Sequence, residues 1–200
     1  GVISMLSFSP GWGINGNPPG SEGLMYNKYN RNGHAYNGTQ VMRPQNLKLT
    51  EIRWEKTKSW NLGFDLNFLE DLLKFNLNVY NRKTSDLLNS GVRIPSTTGY
   101  STLAWANVGD MENKGWELYA STRDVFKIGK FSMNFRANIA QNLNTITRMD
   151  ASVLASYNTD ISYNNAEILN RVQVGNALGG IYGFKFKGVY AYDYDHNGYF

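Results

Sequence analysis

The clearest pattern in this chain is a strict alternation of apolar and polar positions over the nine residues from Trp60 to Phe68. Every even position in this stretch is large and apolar, and every odd position is polar or glycine. A period of two is typical of a β-strand, because successive side chains point to opposite faces of a sheet. The stretch therefore predicts a strand with one apolar and one polar face, and its length suits a tilted strand that crosses a bilayer.

The same alternation recurs in residues 75–82, 115–123 and 131–141, and more weakly in residues 5–8. The polar phase of these segments is rich in Asn, Gly, Ser and Tyr, whereas the wet face of a soluble sheet usually carries Lys, Glu and Thr. This composition favours an antiparallel transmembrane β-barrel whose inward face lines a water-filled lumen. The charged residues within the segments all fall on the polar phase: Asp65, Arg82, Glu117, Arg123 and Arg136.

The stretches between the predicted strands alternate between long and short. Residues 17–50, 89–107 and 145–200 are long and lack regular alternation, whereas residues 69–74 and 124–130 are short. Outer-membrane barrels have short turns on the periplasmic side and longer loops outside the cell. The pattern therefore predicts that the three long stretches are extracellular and that the two short turns are periplasmic.

Composition excludes several other classes of protein. No apolar run approaches the roughly 18 residues of a membrane helix, and the absence of cysteine rules out a disulfide framework or a thiolate zinc site. The net charge of +4 comes from scattered Lys and Arg without a basic run, so no nucleic-acid partner is expected. With two His and no recognisable catalytic motif, the chain is not expected to be an enzyme.

The segment from Gly11 to Gly16 matches the G-x-G-x-x-G pattern of dinucleotide-binding loops. That motif requires a helix to begin there, but Pro18 and Pro19 follow directly and cannot continue one. We therefore interpret the segment as a Gly-rich strand end that enters a loop. Two tryptophans on the apolar phase, Trp60 and Trp116, are expected to lie in an aromatic belt at the lipid interface.

A candidate calcium site lies close to residue 200. Asp193, Asp195 and Asn197 occupy positions 1, 3 and 5 of a loop with Gly198 at position 6, which is the opening of an EF-hand-type loop. The closing carboxylate would follow residue 200. The alternative reading is a polar turn in an outer loop.

Several short motifs, in order, resemble the SusC/RagA-type TonB-dependent transporters. The resemblance covers residues 5–145 well and residues 170–192 more loosely. It rests on these runs: Gly11-Trp12-Gly13-Ile14-Asn15-Gly16-Asn17, Pro44-Gln45-Asn46-Leu47-Lys48, Arg53-Trp54-Glu55-Lys56-Thr57, Asn61-Leu62-Gly63-Phe64-Asp65, Tyr80-Asn81-Arg82-Lys83-Thr84-Ser85-Asp86-Leu87-Leu88, Ile94-Pro95, Thr98-Gly99, Asn107-Val108-Gly109 and Asn113-Lys114-Gly115-Trp116-Glu117.

The resemblance implies an all-β protein of the bacterial outer membrane, with a barrel of about 22 strands around an N-terminal plug. Residues 1–200 would then be a partial barrel domain that lacks the plug, the remaining strands and the C-terminus. The implied function is active uptake of a large nutrient, an oligosaccharide or peptide, driven through the TonB complex. A SusD-like surface lipoprotein is the implied partner and acts as a lid.

Within this reading, Tyr100 and Trp105 lie in a predicted outer loop and are candidates to contact the cargo or the lid. Two alternatives remain open from the sequence. One is a soluble all-β surface module that binds glycans, and the other is a passive porin that lacks a plug.

Overall fold

The computed structural model describes residues 2–158, 169–183 and 185–188. Strands dominate these ranges, with one short helix and one 3-10 turn at Ser96–Thr98. In chain order the elements are β1 (Ile3–Asn17), β2 (Tyr29–Tyr36), β3 (Thr39–Pro44), β4 (Glu55–Phe68), β5 (Leu73–Arg93), β6 (Thr102–Thr122), β7 (Phe126–Ile128), β8 (Phe131–Met133), β9 (Arg136–Met149), α1 (Ala151–Tyr157), β10 (Leu169–Arg171) and β11 (Gly180–Tyr182).

The main feature is a five-stranded antiparallel sheet in the order β1-β4-β5-β6-β9. Each strand pairs with the next main strand along the chain, and the shorter strands form three separate two-stranded hairpins. The four strongly alternating segments of the sequence all contribute to this sheet. The all-β antiparallel prediction is therefore confirmed, and the sheet is open, with β1 and β9 at its two edges within the described part of the chain.

The strand register aligns the apolar phases into one continuous outward band. Phe64 lies opposite Phe8 on one side and Leu77 on the other, and Leu77 lies opposite Leu118. The rings of Phe8 and Phe64 are 5.1 Å apart, yet Phe8 remains 56% exposed. Among apolar side chains of the described ranges only Val108, Ile146 and Val153 are buried. A sheet with so little core leaves its apolar face to be covered by lipid.

The opposite face of the sheet is polar, and its side chains contact one another across the strands. Tyr80 lies over Gly115, where an added Cβ would stand 2.8 Å from the tyrosine hydroxyl oxygen. The same hydroxyl donates to Asn142 Oδ1 over 3.2 Å. Glycine at position 115 therefore provides the space that the tyrosine ring fills. Asn76 also donates to Asp65 on this face.

The strands are longer than the alternation indicates, and the predicted loop 89–107 is mostly strand. β5 continues to Arg93 and β6 begins at Thr102, so that only residues 94–101 connect them. The register shifts twice between Thr84 and Leu88, and Asp86 has φ +56°. This bulge interrupts the period of two, which is why the pattern ended early. The Gly-rich segment 11–16 forms the last part of β1, which ends at Asn17 and passes into the connection to the next strands, so its prediction as a strand end that enters a loop is confirmed.

The predicted turn 124–130 and the strand 131–141 also need correction. Residues 126–133 form the small hairpin β7–β8, and β9 starts only at Arg136. The connection between β6 and β9 therefore spans residues 123–135 and is longer than the connection 94–101. The number of unpaired residues in each connection therefore does not distinguish the two ends of the sheet. Most of the predicted loop 89–107 is paired strand, and only residues 94–101 remain as a connection.

Helix α1 is absent from the sequence reading of residues 145–200. It begins after Asp150, whose carboxylate accepts the backbone N–H of Ser152 over 2.8 Å as an N-cap. The helix has 7 residues, which is too short for a clear 3.6-residue period. In the described part of the chain, no helix is both long and apolar enough to cross a membrane.

Candidate functional site

The residues between β5 and β6 form a hairpin that extends past the rest of the sheet. The pairing of β4 with β5 ends at Lys56 opposite Ser85, whereas β5 and β6 stay paired up to Arg93 opposite Thr102. We call residues 86–108 the projecting hairpin. It lies at the same end of the sheet as the long connection between β1 and β4, residues 18–54, which we call the long loop.

The end of the long loop is fixed to the projecting hairpin by Asn107. The amide oxygen of Asn107 accepts the backbone N–H of Arg53 over 2.8 Å. Its amide nitrogen donates to the carbonyl oxygens of Arg53 over 2.9 Å and Asp86 over 2.8 Å. One side chain thus joins two backbone segments with three hydrogen bonds, and it also satisfies the carbonyl of the bulge residue.

Two residues that the sequence proposed for cargo or lid contact also touch the long loop. Trp105 lies in β6, not in an irregular loop, and its indole N–H donates to Ser21 Oγ over 3.1 Å. A Cβ at Gly20 would lie 3.1 Å from the same indole ring, so the loop backbone packs closely against it. Tyr100 donates its hydroxyl to the Pro44 carbonyl over 3.5 Å. Contact of these residues with cargo or lid stays a prediction.

Helix α1 packs against the projecting hairpin through different residues. Asp150 donates its backbone N–H to Val108 O over 2.7 Å, and Asn89 donates to the Tyr157 hydroxyl over 3.1 Å. Val108 and Val153 are 6% and 2% exposed, which makes this contact one of the few buried places in the fold. The projecting hairpin is therefore held by both the long loop and α1.

An open cleft of about 510 Å³ lies where the long loop meets the hairpin. The residues around it combine backbone groups with charged and aromatic side chains, which suits the binding of a polar ligand by hydrogen bonds. Arg148 at its edge is held by Asp110 through two contacts, of 2.6 Å and 3.1 Å. Of the lining residues, only Trp105 was a candidate from the sequence; the lining is Lys48, Leu49, Thr50, Glu51, Ile52, Arg53, Asp86, Leu103, Trp105, Ala106, Asn107 and Arg148.

Asp150, which precedes α1, is a charged residue of this region whose ionisation the fold favours. The hydroxyl of Ser152 beside Asp150, followed by the Ser152 backbone N–H, lowers the pKa of the Asp150 carboxyl below its ordinary value. The carboxylate is thus kept ionised at the N-terminus of α1, where a negative charge is favourable.

A metal site is not found in the described ranges, in which no group of three or more His, Cys, Asp or Glu side chains could hold an ion. The predicted calcium ligands Asp193, Asp195 and Asn197 lie outside those ranges. The calcium site therefore stays a prediction from the spacing of these residues.

Tryptophans mark the edge of the outward apolar band. Trp12 lies directly opposite Trp60, and both share their face with Trp116, which lies opposite Val79. The Trp116 indole N–H donates to Gln141 Oε1 over 3.2 Å on the same face. We call these three tryptophans the Trp belt, and they lie where the apolar band gives way to charged residues.

A polar inner face, an apolar outer band and an aromatic belt together define the wall of an outer-membrane β-barrel. The family model described as "TonB dependent receptor-like, beta-barrel" matches residues 7–200, and the chain belongs to this family of TonB-dependent receptors. It is of the SusC/RagA type and is an integral protein of the bacterial outer membrane. The family excludes the alternative of a soluble glycan-binding module.

The relatives support this placement over nearly the whole chain. The TonB-dependent receptor SusC of Bacteroides thetaiotaomicron is 31% identical over 210 residues, covering 98% of this chain and 20% of SusC. The TonB-dependent receptor P39 of Formosa agariphila is 29% identical, covering 96% of this chain and 17% of P39. The chain thus spans about a fifth of the length of these relatives.

Solved structures share the fold. The RagAB peptide importer in its open-open state superposes with a TM-score of 0.63 at 22% identity, over 74% of this chain and 16% of that one. The RagAB peptide transporter superposes with a TM-score of 0.61 at 21% identity, over 76% of this chain and 16% of that one.

Proposed function

We propose that the whole protein takes up a large nutrient, an oligosaccharide or a peptide, by TonB-dependent active transport, without covalent chemistry. The observation that carries this proposal is the family match over residues 7–200 on a sheet with a lipid-facing outer band. The peptide class is supported by the similarity in fold to the RagAB peptide transporter and peptide importer.

The need for energy coupling follows from the size of the implied barrel. A barrel of about 22 strands has a wide lumen that must be plugged. The outer membrane has neither ATP nor an ion gradient of its own, so moving cargo past a plug requires coupling to the inner membrane through the TonB complex. In this proposal residues 1–200 form part of the barrel wall, and the plug and remaining strands belong to other parts of the whole protein.

We also propose the orientation of the sheet. The end with the long loop, the projecting hairpin and α1 faces the cell exterior, while residues 69–72 and 123–135 face the periplasm. Support comes from the size of the excursions at each end, because extracellular loops of such barrels are the larger ones. The four-residue connection between β4 and β5 is the clearest periplasmic turn.

The rim formed by the long loop and the projecting hairpin is the proposed contact region for cargo and for a SusD-like surface lipoprotein. A rim that a lid closes on needs a defined shape, and the three hydrogen bonds of Asn107 supply it on the loop side. The cleft beside Trp105 offers backbone groups of residues 48–53 together with Arg148 for hydrogen bonding to a peptide or sugar chain.

Co-purification of the full-length protein from native membranes tests the lid. We expect a surface lipoprotein to co-purify with the wild type and to be lost or reduced in Trp105→Ala, which frees the long loop. Trp12→Ala is the matched control, because it removes the same side chain from the lipid-facing belt. Equal recovery of the lipoprotein with both variants would contradict a lid contact at this rim.

A further inference from the structure

Four lysines lie together on the outward face, just beyond the Trp belt. Lys56 and Lys58 share the phase of Trp60 in β4, and Lys58 lies directly opposite Lys83 of β5. Lys114 of β6 lies opposite Asn81, the pairing partner of Trp60. All four lysines are exposed. The outward face at the opposite end of the five main strands carries no Lys or Arg within the paired residues described.

The lysines are poorly neutralised by the protein itself. Like charges directly opposite one another, such as Lys58 and Lys83, destabilise a sheet. Within the described residues, Glu112 is the carboxylate that forms an ion pair with one of these lysines, with its Oε1 3.5 Å from Lys83 Nζ. The same oxygen accepts from Asn81 Nδ2 over 2.8 Å. Lys56, Lys58 and Lys114 form no ion pair within the described residues, and a bound anion would relieve the repulsion among these positive charges.

An apolar cleft of about 350 Å³ opens next to the lysines on the same face. Trp60 and Trp116 flank it, Val79 and Leu143 contribute to its lining, and Lys114 stands beside them. Asn81 also lines it, and its buried Oδ1 has no hydrogen-bond partner among the described residues. A cationic cluster, an unpaired acceptor and an apolar cleft thus follow one another on one lipid-facing surface.

We propose that this surface binds the phosphorylated, acylated sugar of the outer leaflet, the lipid A part of lipopolysaccharide. The phosphate lies among the lysines, a sugar hydroxyl or amide N–H donates to Asn81 Oδ1, and an acyl chain occupies the cleft between the tryptophans. The inference goes beyond the proposed uptake, since it does not depend on the cargo. It rests on the proposed orientation, which puts this end of the sheet in the outer leaflet.

The test measures binding of purified lipid A to the delipidated, detergent-solubilised full-length protein by native mass spectrometry. In Lys58→Gln/Lys114→Gln we expect binding roughly 30-fold weaker, because each lysine near an anionic lipid raises the affinity by a factor of about five. Lys127→Gln/Lys130→Gln removes the same charge from the β7–β8 hairpin and should bind lipid A as the wild type does. Thermal unfolding of both variants checks that they are folded.

A second comparison varies the lipid with the wild-type protein, so that it decides the matter even if a variant misfolds. Lipid A without phosphate and phosphatidylglycerol should each bind at least about tenfold more weakly than intact lipid A. Equal binding of dephosphorylated lipid A, equal binding of phosphatidylglycerol, or equal binding by both lysine variants would overturn the proposal. A failure of lipid binding would leave the test of uptake unaffected. The orientation is tested separately by labelling cysteines introduced at the two ends of the sheet, and the opposite orientation would place this surface outside the outer leaflet.

Discussion

The side-chain amide of Asn107 in β6 forms two hydrogen bonds with the backbone of Arg53 at the end of the long loop, 54 residues earlier in the sequence. Asn107 Oδ1 accepts the Arg53 N–H over 2.8 Å, and Asn107 Nδ2 donates to the Arg53 carbonyl over 2.9 Å. The pair makes the long loop part of the rim and places the cleft beside it. This amide side chain therefore contributes to the order of the rim together with the contacts of Trp105 and Tyr100 to the long loop.

Replacing the Asn107 side chain tests this contribution. Asn107→Ala removes three hydrogen bonds, each contributing roughly 0.5–1.5 kcal/mol, so we expect the long loop to detach more often from the hairpin. Hydrogen exchange at the Arg53 amide should accelerate about tenfold or more, while exchange in β4 stays unchanged. Asn138→Ala is the control, since Asn138 makes no side-chain hydrogen bond within the described part of the chain. Unchanged exchange at Arg53 would show that other contacts hold the loop.

The two faces of the sheet can be compared at adjacent residues of β5. Leu77 belongs to the outward band and Asn78 to the polar inner face, where it lies opposite Glu117. Leu77→Arg should cost roughly 2–4 kcal/mol of folding free energy in a bilayer, and Asn78→Arg much less, because only the former exposes a charge to lipid. Folding into lipid vesicles over a urea series measures both. Equal costs would contradict the assignment of faces.

The orientation of the sheet is open to cysteine labelling, because the chain has no native cysteine. Ser96 lies in the connection of the projecting hairpin, and Lys130 lies between β7 and β8 at the other end. On intact cells, an impermeant thiol reagent should label Ser96→Cys and leave Lys130→Cys unmodified until the outer membrane is opened. The reverse pattern would invert the orientation.

Docking of α1 should weaken in acid. The pKa of Asp150 is lowered in the folded protein, so its contribution is present above the unfolded pKa of about 3.9 and is lost as the pH falls through the folded value. Asp150→Ala should cost about 0.5 kcal/mol, the low end for a helix cap because the carboxylate is exposed. Faster hydrogen exchange at Leu154 and Asn158 reports the loss, and Asp150→Asn should retain the cap without the pH dependence. Identical exchange in all three proteins would contradict a capping role.

The sequence predicted which side chains lie on the apolar and which on the polar face of the sheet, because the main strands alternate with a period of two. The register is consistent with this, since it places the apolar positions of neighbouring strands opposite one another. Phe64, Leu77 and Leu118 meet on one face as the alternation requires. Strand ends were not predictable by the same means. Gly11 and Gly13 carry no side chain to show a phase, and the bulge at Asp86 shifts the phase, so the pattern ended before the strands did.

The site was predictable only in part, for a different reason. An exposed Trp105 near a loop is visible in the sequence, but its partner Ser21 lies 84 residues away. Asn107 looked like one of many asparagines, since its importance arises from the two backbone segments that the fold brings to it. The lysine cluster was also hidden, because Lys58, Lys83 and Lys114 come together only through the register of three strands.

Uptake in the absence of TonB tests the central claim most directly. Cells that express the full-length protein would be given fluorescent peptides and, separately, labelled oligosaccharides, with and without a functional TonB complex. We expect one of these cargo classes to accumulate in a manner that depends on this protein, and accumulation to fall to background when TonB is removed. Accumulation through this protein at the same rate without TonB would contradict active transport and make a passive pore the better description.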